Sequence, residues 1–382
     1  MMQKRNFIGS VVLVVLALTG IVTDSGRGAN PPATWTTGLK KVLIIPVRFS
    51  DFTGPSDVPG PGGYLSGWGL VTNGTTTAAL SDFYARQSYG KCTLQFTLLP
   101  EINMGVSYTV YTNTLYPSNS LSKYTLWSDS GSFADDVRAR ARQVGLTNGN
   151  AALYDTDNYD LDIIATGFIP NQGTLSAGVP HGKGIYGNSF KVWGHELGHN
   201  FGLQHGNGLS RANYYAPLTN GVFYYDAYGD VYDLMGYKNT YPIPIPADHD
   251  ANVYWKNLMG WLTDDFVTNS VTSGTRRIYA FDQPTLEAGK NYAMKIVRDA
   301  THTYWYDFRQ AITNYGTTWS QNGLEVHFGG DPYPASSGHT TLIDMTPGSR
   351  GLVGTNYYAT MYDAPLAIGR TYTDAEINLS IT

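Results

Sequence analysis

The stretch from Val192 to Gly208, VWGHELGHNFGLQHGNG, holds three of the chain's eight histidines: His195, His199 and His205. His195 and His199 stand four positions apart, so on a helix both imidazoles leave one face, a turn from each other. Rings so placed can reach a single zinc ion through neutral ring nitrogens. Glu196 follows the first histidine and is expected to reach over the metal without binding it, taking the proton of a water held there. Gly202 accounts for the longer gap to His205. A glycine adopts the left-handed conformation that ends a helix without a Cβ penalty, so the chain can turn and return His205 as a third ligand. Three protein ligands leave a coordination position open, the mark of a catalytic rather than a structural zinc site.

Such a site needs a helix beneath the first two histidines and a sheet to carry it. The apolar run Val42 to Phe49 in KKVLIIPVRFSD reads as a buried strand. TTAALSDFYARQSYGK spaces Ala78, Leu80, Phe83 and Tyr84 as a helix does, with Gly90 as its stop. CTLQFTLLP alternates Cys92, Leu94, Phe96 and Leu98 with polar residues, a half-buried strand. A second helix follows with Phe133, Val137, Ala141 and Val144 on one face, and then a buried strand in YDLDIIATGFI. Strands alternating with helices predict an α/β arrangement with a mixed sheet.

After about Phe266 the pattern changes to short alternating stretches separated by turns: TRRIYAFD, NYAMKIVRD, TYWYDFRQ, GLEVHF, TTLIDM and AEINLSIT. These predict an all-β, sandwich-like domain. The fold class expected for the whole chain is therefore α+β, with residues 29–265 as one domain and 266–382 as the other. Residues 1–28 read as a secretory signal peptide: Lys4 and Arg5, an almost wholly apolar run from Phe7 to Val22, then small residues. Cleavage is expected between Thr23 and Asn30, which makes the protein extracellular. An uncleaved membrane anchor is the alternative, the run being near the lower length limit for a span. No later stretch is long and apolar enough to cross a bilayer, and a monomer is expected.

The 382 residues carry a net charge of −5 and only 14% charged residues, with 29 tyrosines and 43 glycines. That balance argues against a nucleic-acid partner, which needs clustered Lys and Arg. Cys92 is the only cysteine, so an intramolecular disulfide is impossible and the residue reads as a small core side chain.

The string HExxHxxGxxH resembles the zinc signature of the metzincin metallopeptidases. The resemblance implies a tight turn with a methionine under the metal, and YGDVYDLMGY supplies Met235, thirty residues after His205. Tyr237, two places on, corresponds to a tyrosine that in some metzincins binds zinc or steadies the oxyanion. More of the chain is similar to one branch, the gametolysin-like peptidases: FYARQSYGK, YGDVYDLMG, NLMGWL, and in the tail YWYDFRQ, GLEVHF and LIDMTPG. This similarity runs from about Lys40 to the C-terminus, with Met259 standing where the family usually has leucine. It implies a metzincin catalytic domain, a twisted mixed sheet with an active-site helix and a cleft above the zinc. It also implies a secreted endopeptidase whose substrate is a protein or glycoprotein of a wall or matrix, bound as an extended strand. Some metzincins are kept latent by a propeptide cysteine; Cys92, in a strand after SYGK, is poorly placed for that.

DTDNYDLD packs four aspartates into eight residues, Asp155 to Asp162, making structural Ca2+ a candidate. It fails the EF-hand pattern at the glycine and the final glutamate, and a solvated turn into a strand is the plainer reading. His181 is a candidate cleft residue, with an exposed loop histidine the plainer reading, and His249 either lines the cleft or helps begin its helix; His302, His327 and His339 receive no role. Two rival readings remain. One is a wall- or glycan-adhering protein with a degenerate peptidase domain, against which the intact Glu196 weighs. The other is a metal-dependent hydrolase of another bond, against which Gly202, His205 and Met235 weigh.

Overall fold

The computed structural model describes residues 11–16, 33–51, 71–107, 133–166, 185–186, 190–211, 223–226, 228–236, 250–300, 302–311, 317–329, 340–347 and 361–382. Helices and several sheets occur together, an α+β protein. The chain forms two compact units: residues 34–85 with 91–202, and residues 1–33 with 86–90 and 203–382.

The unit of residues 34–85 and 91–202 is organised around the strand Gly38–Arg48. It pairs in parallel with Cys92–Leu98, with Ile102–Asn103 and with Leu161–Thr166, and Ile185–Tyr186 extends the sheet past 161–166, again in parallel. The sequence suggests a mixed sheet, whereas every described pairing in this unit is parallel. Parallel neighbours need long return connections. The helices Thr75–Gln87 and Phe133–Thr147 lie in two of these. Val42, Leu43, Ile44, Ile45 and Val47 are all fully buried, because a parallel sheet has both faces covered. On one face Leu43, Ile45 and Val47 share a core with Val137, Ala141 and Ile164.

The strand Cys92–Leu98 begins with the expected alternation, Cys92 and Leu94 buried, but Leu98 is exposed at the far end. Burial pushes the Cys92 thiol up to about 12, so it stays protonated and serves as a small apolar residue.

The second unit holds the C-terminal strands. Its larger sheet runs Phe223–Asp226, Gly206–Arg211, Thr340–Ile343, Gly323–Gly329, Thr303–Asp307, Ala293–Val297, Val267–Asn269, with Leu366–Ala367 also paired to 323–329. Thr340–Ile343 joins Gly206–Arg211 in parallel, with Thr340 opposite Gly206. Residues 206–211 therefore belong to the same sheet as the tail strands, and position 265/266 lies inside this unit rather than at its edge.

A smaller sheet has the order Gly274–Ile278, Val11–Leu16, Leu379–Ile381, Tyr372–Asp374. Ile278, Tyr372, Leu379 and Ile381 share one core with Met294, Tyr304, Val326 and Phe328 of the larger sheet. The strand Val11–Leu16 comes from the segment expected to be a signal peptide. It pairs antiparallel with both neighbours, Val11 opposite Ile278 and Val15 opposite Ile381.

One tail strand departs from a plain two-faced pattern. LEVHF alternates apolar and polar residues, yet Gly323–Gly329 is buried throughout. Leu324, Val326 and Phe328 enter the shared core, while Glu325 and His327 on the other face are 0% exposed. Their polarity serves an internal ion-pair network. Among the described residues no helix is long and apolar enough to cross a membrane.

Candidate metal site

The helix Phe190–Phe201 carries the first two histidines. Trp193, Leu197 and Phe201 recur every four residues and are fully buried, the apolar stripe that seats an amphipathic helix. Two polar clamps hold its backbone: the Tyr84 hydroxyl donates to the Gly194 carbonyl at 2.7 Å, and Trp35 Nε1 donates to the Asn200 carbonyl at 2.7 Å. The Tyr84 ring also lies 5.2 Å from that of Phe201. Burial raises the Tyr84 phenol well above its ordinary value, so the hydroxyl keeps its proton for Gly194. Neither Trp35 nor Tyr84 stands out in a chain with so many aromatic residues.

The His195 and His199 rings sit with centroids 4.8 Å apart and planes at 87°. Glu196 is buried, at 6% exposure. The helix ends at Phe201, and Gly202 takes φ +103°, with its N–H donating to the His199 carbonyl at 2.8 Å. A β-carbon would strain that conformation. Along this one continuous stretch of chain, 195–205, a ligand atom from each of the three histidines lies within 4.8 Å of the other two. Three imidazoles are a donor set suited to Zn2+, so the residues fit the ion.

His205 immediately precedes the strand Gly206–Arg211, and its ring lies 4.0 Å from that of Tyr228, tilted by 36°. Gly206 is stitched to the loop 228–236 at two points. Its N–H donates to the Met235 carbonyl at 2.9 Å, and its carbonyl accepts from Asp230 N at 3.1 Å. Met235 is fully buried. Asp233 ties the loop internally, accepting from Met235 N through one oxygen and from Asn252 N through the other, both at 2.7 Å. Burial and the adjacent Asp230 charge push the Asp233 carboxyl up to about 7. The loop is packed against its own backbone: a Cβ at Gly236 would stand 1.9 Å from the Asp230 carbonyl oxygen.

Among the described residues a second group has metal-ligand types close together: Asp307, Glu325 and His327. Cations of the protein already serve it. Arg309 Nε donates to both Glu325 oxygens at 3.0 and 3.1 Å, and its Nη1 donates to the Asp250 carbonyl at 2.9 Å. His327 lies between two aspartates, Nε2 at 3.0 Å from Asp230 Oδ2 and Nδ1 at 3.4 Å from Asp307 Oδ2. Despite burial, those two carboxylates raise His327 to about 10, so it is an imidazolium.

The network extends to residues 86–89. Arg86 Nη2 stands 2.6 Å from Asp250, Lys256 Nζ lies 2.8 Å from the same carboxylate, and Ala251 N donates to Gln87 Oε1. Tyr89 donates to the Phe281 carbonyl at 2.8 Å, and its ring faces Lys256 Nζ at 4.7 Å. Residues 86–90 thus anchor in the unit that carries the tail strands.

The aspartates of 155–162 have protein partners. Asp155 and Asp157 pair with Arg142, Asp160 accepts from Lys41 N, and Asp162 takes Arg138 through both oxygens. These partners account for the acidic cluster without an added cation. Tyr237, His181, His249 and His339 lie outside the described residues. No protein-family model matches the chain, and no curated protein matches it.

Proposed function

We propose that the chain is a secreted zinc endopeptidase of the metzincin type, similar to the gametolysin-like branch, acting on extracellular protein or glycoprotein. The observation that carries this reading is the meeting of three histidine ligand atoms within 4.8 Å, with buried Glu196 on the same helix. His195, His199 and His205 would hold the ion. When bound, zinc supplies a Lewis acid that polarises the scissile carbonyl.

The remaining chemistry falls to the chain's own residues. Glu196 accepts a proton on its carboxylate from the attacking water as the new C–O bond forms. It then returns that proton to the leaving nitrogen as the C–N bond breaks, acting as base and then as acid. Met235 supplies an apolar floor beneath the imidazoles and is not a ligand. The charged start and apolar run of residues 4–22 support export, with removal of the leader after Thr23.

Replacement Glu196→Ala separates binding from chemistry. The variant is expected to keep its zinc and to lose casein hydrolysis by two or more orders of magnitude, about what a positioned acid–base group contributes. Undiminished turnover by that variant would sink the mechanism.

A further inference from the structure

His327 is remote in sequence from the zinc string, yet its charge reaches the loop that Gly206 is bound to. His327 Nε2 donates to Asp230 Oδ2 at 3.0 Å, and Asp307 faces its other nitrogen at 3.4 Å. Asp230 Oδ1 accepts from Tyr232 N at 3.0 Å, so the carboxylate receiving the imidazolium also shapes the turn. Asp230 N in turn donates to the carbonyl of Gly206, the residue after His205. Little slack exists in this chain of contacts. A Cβ on Gly206 would approach Asp230 Cβ and Gly236 N to 3.2 Å each. Asp230, His327, Asp307 and Met235 are each 0% exposed, so no solvent can take up a displacement.

A buried ion pair is a weak source of stability, since an apolar substitute of equal volume often does as well. What an apolar substitute could not supply is the directed bond to Asp230. We propose that His327 is a positioning residue: held by Asp307, it fixes Asp230 and the 230–236 loop against Gly206 and so aims His205, touching neither metal nor substrate. This rests on the reading of His195, His199 and His205 as a zinc site.

The test uses the full chain as wild type, His199→Ala, His327→Gln and Asp230→Asn. Zinc affinity is measured by competition with a chromogenic chelator, and the visible absorption of the Co2+-substituted protein reports ligand geometry. Near-ultraviolet circular dichroism reports the fold. Wild type is expected to bind one metal that His199→Ala loses; failure here overturns the zinc reading itself.

His327→Gln is expected to keep a native dichroism spectrum, to bind zinc up to about 10-fold more weakly, at the low end of what loss of a group bonded directly to a ligand costs, and to shift the cobalt bands. Asp230→Asn, which removes the charge but keeps the shape, is expected to shift the same bands. Native affinity and an unchanged cobalt spectrum in a folded His327→Gln would overturn the positioning role while leaving the zinc site standing. If His327→Gln does not fold, Asp230→Asn decides by the same spectrum. Failure of both to fold would assign the pair to the core alone and overturn the proposal.

Discussion

His327 shows how much one buried side chain can depend on its neighbours' charge. An imidazole in an apolar interior would shed its proton, because burial penalises the charged form. Here Asp230 and Asp307 reverse that, with Arg309 and Glu325 completing the surroundings. The folded value of about 10 lies above the roughly 6.5 of an unfolded histidine. A group raised on folding contributes stability that is complete below its unfolded pKa and is lost as pH climbs through the folded one. The urea midpoint of wild type is therefore expected to fall between pH 7 and pH 10. His327→Gln should fall less over the same window, and parallel declines in the two proteins would contradict the assignment. Nothing in GLEVHF announces this role: a histidine between two apolar residues of an alternating strand reads as a solvent-facing position. Its partners Asp230 and Asp307 come from segments 97 and 20 positions away, and single-sequence spacing carries no sign of such a pairing.

At the level of elements, the histidine-bearing helix Phe190–Phe201 was the most legible part of the chain. Its histidines, its carboxylate and its terminating glycine are local features, set by a 3.6-residue period and by one backbone conformation. The prediction that belongs here concerns Gly202, whose φ of +103° costs an alanine roughly 1–2 kcal/mol. Gly202→Ala is expected to lower stability by about that much and to weaken zinc binding in a calorimetric titration, because the helix would run on and carry His205 away. Unaltered zinc affinity would show that the turn does not set the third ligand. The central strand Gly38–Arg48 and the helices of residues 75–87 and 133–147 were equally readable from apolar runs and periodicity. Less readable was direction. The period-2 and continuous apolar patterns that mark a strand say nothing of whether its neighbour runs parallel, and the described strands of that sheet all do.

Across the whole molecule, the chain's division was the hardest feature to see. Strand propensity changes near position 266, but Gly206–Arg211 already joins Thr340–Ile343, and residues 86–90 belong with the same unit. Those associations are long-range pairings that composition does not encode. The N-terminal segment illustrates a different ambiguity. An apolar run rich in valine and leucine meets the requirements of a signal peptide and of a sheet strand alike, and Val11–Leu16 does pair between Gly274–Ile278 and Leu379–Ile381. Among the described strands Gly274–Ile278 pairs with Val11–Leu16 alone, so removal of that strand would leave it without a described partner and would make Leu379–Ile381 an edge. The central claim, zinc-dependent peptide hydrolysis by this fold, is tested most directly by casein turnover before chelation, after chelation, and after restoring one equivalent of Zn2+. The account predicts activity that disappears with the metal and returns with it in wild type but not in His199→Ala. Hydrolysis that persists in the fully metal-free protein would contradict it.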